Sequence, residues 1–206
     1  MSDTKLFQAA YKLITSAEDI ATNVLPEDIV SIVKWHSRFV IGAAFIPIPG
    51  VDILGSASAI WGMYARINGK LGLKLSENVI KTIASGVATN LLSYGAAVAV
   101  GSALKFIPGI GSVGGTALMA GTLYAITLAS GYIYINILTA MIKKNGGHLN
   151  VTGDELEKEL KNYITKNKSE IKDFIKQGKE YYKENKSTLK VSDQEKEEMK
   201  KAIKNN

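Results

Sequence analysis

Across residues 82–142 the chain carries one charged residue, Lys105. It separates two uncharged runs, 82–104 (23 residues) and 106–142 (37 residues). A helix that crosses about 30 Å of hydrocarbon needs roughly 20 apolar residues, so both runs are long enough. Ser, Thr and Gly lower the helix propensity of this stretch. Even so, an uncharged run this long without turn signals reads as buried or membrane helix and not as strand. Lys105 and the following Pro108-Gly109 break sit where a helical hairpin turns, because proline removes a donor and bars its predecessor from helical space. The expected fold is therefore all-α: a helical bundle with a central Gly/Ala-rich hydrophobic hairpin over residues 82–142, followed by charged C-terminal helices.

The flanking sequence supplies amphipathic helices. Leu6, Ala9, Ala10, Leu13, Ile14, Ala17 and Ile20 recur at helical spacing and predict a helix over residues 3–23. Pro26-Glu27-Asp28 starts a second, with proline in the first turn and acids at the positive end of the dipole. It reaches about Phe45, where Ile46-Pro47-Ile48-Pro49-Gly50 breaks it. A third helix opens at Val51-Asp52 and ends between Gly69 and Gly72. Ser76 caps a fourth that runs to about Lys105. A fifth continues to Lys143-Lys144, where Asn145-Gly146-Gly147 stops it. After Asn150 the chain has 14 lysines and 12 acids. Thr152-Gly153-Asp154-Glu155 resembles a capping box, and Leu156, Leu160, Tyr163, Ile164, Ile171, Phe174 and Ile175 mark apolar faces. Two domains follow: a helical domain over 1–149 and a charged amphipathic tail over 150–206. Residues from Ser192 on read as a short charged helix or as disordered. The similarity of Phe45-Ile46-Pro47 to Phe106-Ile107-Pro108, each followed by Tyr-Ala (Tyr64-Ala65, Tyr124-Ala125), suggests two duplicated helix–turn–helix hairpins, with chance as the alternative.

Small residues recur every four positions along both runs: Ser85, Thr89, Ser93, Ala97 and Gly101 on the first, Ala117, Gly121, Ala125 and Ala129 on the second. Gly111 and Gly115 form a GxxxG pair. Such stripes let helices approach closely. The candidate packing residues are Gly101, Gly111, Gly115 and Gly121, and the stripes are expected to face each other or neighbouring copies of the chain. The candidate turn and cap residues are Pro47, Pro49, Gly50, Asp52, Pro108 and Gly109. Lysines at both hairpin ends (Lys74 and Lys81; Lys143 and Lys144) favour cytoplasmic termini, which Lys105 at the turn opposes. Two settings stay open: a bilayer, or the interior of a soluble bundle sheathed by the amphipathic helices.

Four segments carry a family likeness: Ala43-Ala44-Phe45-Ile46-Pro47-Ile48-Pro49-Gly50-Val51-Asp52, Trp61-Gly62-Met63-Tyr64, Phe106-Ile107-Pro108-Gly109-Ile110-Gly111-Ser112-Val113-Gly114-Gly115, and Thr122-Leu123-Tyr124-Ala125. Together they resemble the DUF697 family, the YcjF-like, GTPase-associated helical domain, over about residues 29–142. The resemblance implies a helical, membrane-associated module of the kind often found C-terminal to an Era-like or septin-like GTPase domain. Immunity-related GTPases show a similar element in their helical regions. This chain departs from that pattern in lacking a GTPase domain. Gly62 to Leu71 mimics a phosphate-binding loop only loosely, with the wrong spacing and leucine where the magnesium-binding Ser/Thr would stand.

Little else points to chemistry. Gly109-x-Gly111-x-x-Gly114 matches a dinucleotide fingerprint literally, but it needs a preceding strand and an acid about 20 residues on; here the next acid is Asp154. Cysteine is absent, which excludes disulfides and thiolate chemistry. His36 and His148 stand far apart, without metal-ligand spacing. Trp35-His36-x-Arg38 reads as a surface or interfacial patch. Asp52 reads as a helix cap. The sequons at Asn150, Asn167 and Asn185 are discounted, because Met1 to Lys12 does not read as a secretory signal and the tail is expected to be cytoplasmic. The net charge of +6 favours anionic partners. The tail intersperses its signs, unlike a nucleic-acid surface, so no nucleic-acid partner is expected. No enzyme activity, cofactor or metal is expected. The expected function is a membrane-associated helical module that binds lipid and assists a protein partner, a separate GTPase being the family's implication. The alternatives are a membrane-inserting or pore-forming protein that oligomerises with its own kind, and a soluble, cytoplasmic binding or immunity-type protein with a buried hairpin.

Overall fold

The computed structural model describes residues 3–18, 24–43, 51–96, 112–189, 191–192 and 194–195. Seven long helices account for most of them: α1 (Asp3–Thr15), α2 (Pro26–Ala43), α3 (Val51–Leu71), α4 (Glu77–Ala96), α5 (Ser112–Lys144), α6 (Gly153–Lys166) and α7 (Lys168–Glu184). The described residues contain no strand.

The helix ends follow local chemistry. At the start of α2 the Asp28 carboxylate accepts the Leu25 amide at 3.1 Å, half of a capping box. Gly72 ends α3 at a φ of +75°, a conformation glycine adopts without a Cβ clash. The Leu73 amide then reaches the Asn68 carbonyl at 2.9 Å, closing a Schellman turn. Gly146 and Gly147, at φ +66° and +93°, end α5 in the same way, with the Gly147 amide on the Ile142 carbonyl at 2.9 Å. Thr152 caps α6 through its hydroxyl, which accepts the Glu155 amide.

One expected boundary is corrected. The first helix stops at Thr15 instead of near residue 23. The Thr15 and Ser16 hydroxyls turn back onto the Tyr11 and Lys12 carbonyls, a local alternative to helix propagation. The Glu18 amide then leaves the helical path for the Gly147 carbonyl, 2.9 Å away. The described part of α4 ends at Ala96, and its expected continuation to Lys105 lies outside the described residues.

The core is built around α5. From Ala120 to Gly131 every residue of this helix is buried, on all sides. Helices α1, α2, α3, α4, α6 and α7 all contact it, most extensively α7 and α2. A helix that is apolar all round needs such a sheath or a membrane. Its sheath helices are amphipathic: α6 buries Leu156, Leu160 and Ile164, and α7 buries Ile171, Phe174, Ile175, Gly178 and Tyr182, leaving their charged faces outward. The α3–α5 contact contains a polar clamp. The Tyr64 and Tyr134 rings stack at 3.8 Å between centroids. The Tyr64 and Ser130 hydroxyls share a hydrogen bond of 2.7 Å, and the Tyr134 hydroxyl donates to Asn68 Oδ1 at 2.6 Å.

Candidate functional site

The element on which any membrane function rests is α5. Among the described residues it is the one helix long and apolar enough to cross a membrane. The span Ala117–Lys144 has 28 residues and a mean hydropathy of 1.6 in its most apolar window, 83% of which is buried in the bundle. At 1.5 Å per residue it is about 42 Å long, more than the hydrocarbon thickness of a bilayer. Three of its polar side chains are satisfied by its own backbone: Thr122 on the Leu118 carbonyl, Asn136 on Tyr132 and Thr139 on Ile135, at 2.7–2.8 Å. A helix that meets its polar needs internally tolerates lipid as well as protein around it. Thr127, Ser130 and Tyr134, whose hydroxyl donates to Asn68, differ. The Thr127 hydroxyl is buried without a partner, and Ser130 depends on Tyr64.

The glycine stripe of α5 does face a helix, but within the chain that helix is α7 and not the other arm of the hairpin. A Cβ on Gly121 would lie 2.8 Å from the Tyr182 ring, and one on Gly178 would lie 2.8 Å from the Ala125 Cβ. At Gly121 and Ala125 the stripe therefore packs on α7 of the same chain. Aromatic rings close the edges of this contact: Tyr132 stacks on Phe174 at 5.0 Å, and Tyr124 lies 5.9 Å from Tyr182. The described small residues of the first run do not face the second run within the chain. On α4, Ser85, Thr89 and Ser93 are exposed, while Ile83, Ala84, Val87, Ala88 and Leu91 turn inward. These apolar residues carry the packing within the chain, and the small polar face is exposed. Its side chains bond back to the helix, Thr89 to the Ser85 carbonyl and Asn90 to that of Gly86.

Gly115 lies in the first turn of α5, and Asp52 is the second residue of α3. Gly101, Gly111, Pro47, Pro49, Gly50, Pro108 and Gly109 lie outside the described residues, as do the two turns of the suggested duplication.

The Trp35-His36-x-Arg38 patch divides. Trp35 is 46% exposed, with Arg66 of α3 over its ring at 4.5 Å and Phe39 stacked beside it. His36, expected at the surface, is buried at 3% exposure because it faces α3. A Cβ on Gly62 would lie 3.3 Å from its Nε2. Its Nδ1–H donates to the Ile32 carbonyl at 2.7 Å. Burial, opposed by that bond and reinforced by the Arg66 charge, pushes the imidazole down to about 4. Such a residue stays neutral near pH 7 and acts as a packing group. A second Trp–cation pair, Lys81 over Trp61 at 4.7 Å, joins α4 to α3. A groove of about 240 Å³ between α5 and α6 is rimmed by Lys144, Lys158, Glu155 and Glu159, two of each sign. The described residues hold no cluster of three or more His, Asp or Glu able to bind a metal.

The Tyr64–Tyr134 clamp and the buried setting of His36 are not foreseen from the sequence. Tyr64 and Tyr134 stand 70 positions apart and nothing local pairs them. The only cue is the placement of polar tips among apolar neighbours.

No family model matches the chain, and no solved structure matches it. Among characterised proteins it is similar to Magnetosome membrane protein 22 of Magnetospirillum gryphiswaldense, with 25% identity over 141 residues, 68% of this chain and 70% of that protein.

Proposed function

We propose that this chain is a membrane-associated helical module that works beside a protein partner, with its termini in the cytoplasm. The observation that carries the reading is α5: apolar on every side, longer than a bilayer core is thick, and with Thr122, Asn136 and Thr139 bonded to its own backbone. The similarity to a protein named as a magnetosome membrane protein supports the membrane part. The resemblance to the GTPase-associated DUF697 module supports a separate GTPase as the partner.

Membrane fractionation with a carbonate wash tests the first part. The chain is expected to pellet with membranes, and complete recovery in the soluble fraction before any wash would overturn the reading. The partner is tested by purification from crosslinked membranes. Retention of a protein that hydrolyses GTP is expected; a preparation without such activity would remove the GTPase from the proposal and leave the membrane module standing.

The small-residue stripe on α5 favours a second reading, insertion followed by self-association into a pore. Dye release from vesicles by the purified chain alone would favour it, and intact vesicles carrying bound protein would exclude it.

A further inference from the structure

We infer that α6 and α7 form a removable sheath, whose release from α5 hands that helix to the bilayer. This rests on the membrane reading above. Gly121 and Ala125 of α5 meet Tyr182 and Gly178 of α7 so closely that no extra methyl group fits at either glycine. The stripe that would let α5 pack tightly in lipid is therefore occupied within the chain.

What holds the sheath in place differs from what holds the rest of the bundle. Side-chain hydrogen bonds tie α5 to α3 through Tyr64–Ser130 and Tyr134–Asn68. Among the described residues none ties α5 to α6 or α7. The polar links of the sheath to other helices are peripheral. Tyr94 donates to the Ile164 carbonyl at 3.4 Å, and Lys168 sits over the Tyr94 ring at 5.2 Å. Beyond α7, Arg38 meets Glu195 at 3.6 Å across half-exposed side chains. Exposed pairs of this kind hold weakly.

The chain path also permits release. The sheath joins α5 only through residues 145–152, which include Gly146 and Gly147 in left-handed conformations. Helices α1 to α4 would stay packed on α5 when the sheath swings away. The outward faces of α6 and α7, with Lys158, Lys161, Lys168, Asp173, Lys176, Glu180 and Lys183 exposed, suit water or a headgroup layer in either state.

The chain contains no cysteine, so a single engineered bridge is unambiguous. The pair Ala125→Cys and Gly178→Cys joins α5 to α7 once the helices part by about 1 Å to reach disulfide geometry. The full-length pair variant is mixed, oxidised or reduced, with phosphatidylcholine/phosphatidylglycerol vesicles, and the carbonate-resistant fraction is measured. The reduced form is expected to insert at least about tenfold more than the oxidised form, at equal helicity by circular dichroism. Gly178→Leu, which wedges α7 off Ala125, is expected to insert more than the unaltered chain. Equal insertion of the oxidised and reduced forms overturns the sheath and leaves the membrane reading intact. If the bridge does not close, Gly178→Leu decides alone, and insertion no greater than that of the unaltered chain overturns the sheath. Failure of every form to bind vesicles overturns the membrane reading, and the sheath with it.

Discussion

At the scale of single residues, the consequential groups are polar ones placed where a charge or a lost bond has no remedy. His36 is neutral in the folded chain, held down to about 4 against an ordinary value of 6.5 by burial between α2 and α3. In the interval between those values the unfolded chain binds a proton that the folded chain refuses, so stability there rises with pH. The contribution is complete above pH 6.5 and is lost as pH falls to 4. The loss is about 3 kcal/mol, since each tenfold drop in proton affinity is worth about 1.4 kcal/mol. His36→Gln should remove that part of the acid sensitivity. Urea midpoints at pH 7.5 and 4.5 should differ less in the variant than in the unaltered chain, and an equal difference in both would refute the assignment. The Tyr134–Asn68 bond makes a second case. Asn68 Nδ2 is already buried without a partner, and Tyr134→Phe would leave Oδ1 unpaired as well. A stranded buried acceptor costs about 1–3 kcal/mol, so a lowered thermal midpoint is expected with the helical spectrum unchanged.

At the scale of elements, the ends of helices were legible in the sequence wherever a residue with special backbone chemistry stood at the boundary. Pro26 opens α2, Gly72 and Gly146-Gly147 end α3 and α5, and Thr152 caps α6. The break between α6 and α7 is a different matter. It is a single residue, Asn167, whose amide and side chain both bond the Tyr163 carbonyl, and neither glycine nor proline announces it. The end of α1 was equally silent, because Thr15 and Ser16 stop a helix only by where their hydroxyls turn. Orientation was the harder problem. A small residue every fourth position says that some helix approaches closely, but not which one. For Gly121 the partner proved to be Tyr182, 61 positions away. Capping itself is open to test: Thr152→Ala removes the hydroxyl that accepts the Glu155 amide. A loss of about 1 kcal/mol is expected, with faster amide exchange confined to the first turn of α6; protection unchanged at Glu155 would refute the cap.

At the scale of the whole molecule, one apolar helix is kept from water by six others of the same chain, and those six are not equivalent. Helices α1 to α4 pack on one another in sequence as well as on α5, and α3 is fastened to α5 by buried hydrogen bonds. Helices α6 and α7 cover the remaining face with a thin apolar stripe backed by charge. Transfer of apolar surface from water is worth about 25 cal/mol for each Å². Stripping this face bare while leaving the chain in water therefore favours self-association or a detergent micelle. A chain ending at Asn150 should consequently remain helical yet leave solution. It should elute in large assemblies without detergent and as a small species with a mild one, whereas the 206-residue chain with its sheath closed is expected to need none. The measurement is light scattering across a detergent titration. A truncated chain that stays monomeric in plain buffer would mean that α1 to α4 close around α5 unaided, and the C-terminal helices would then have no part in shielding it.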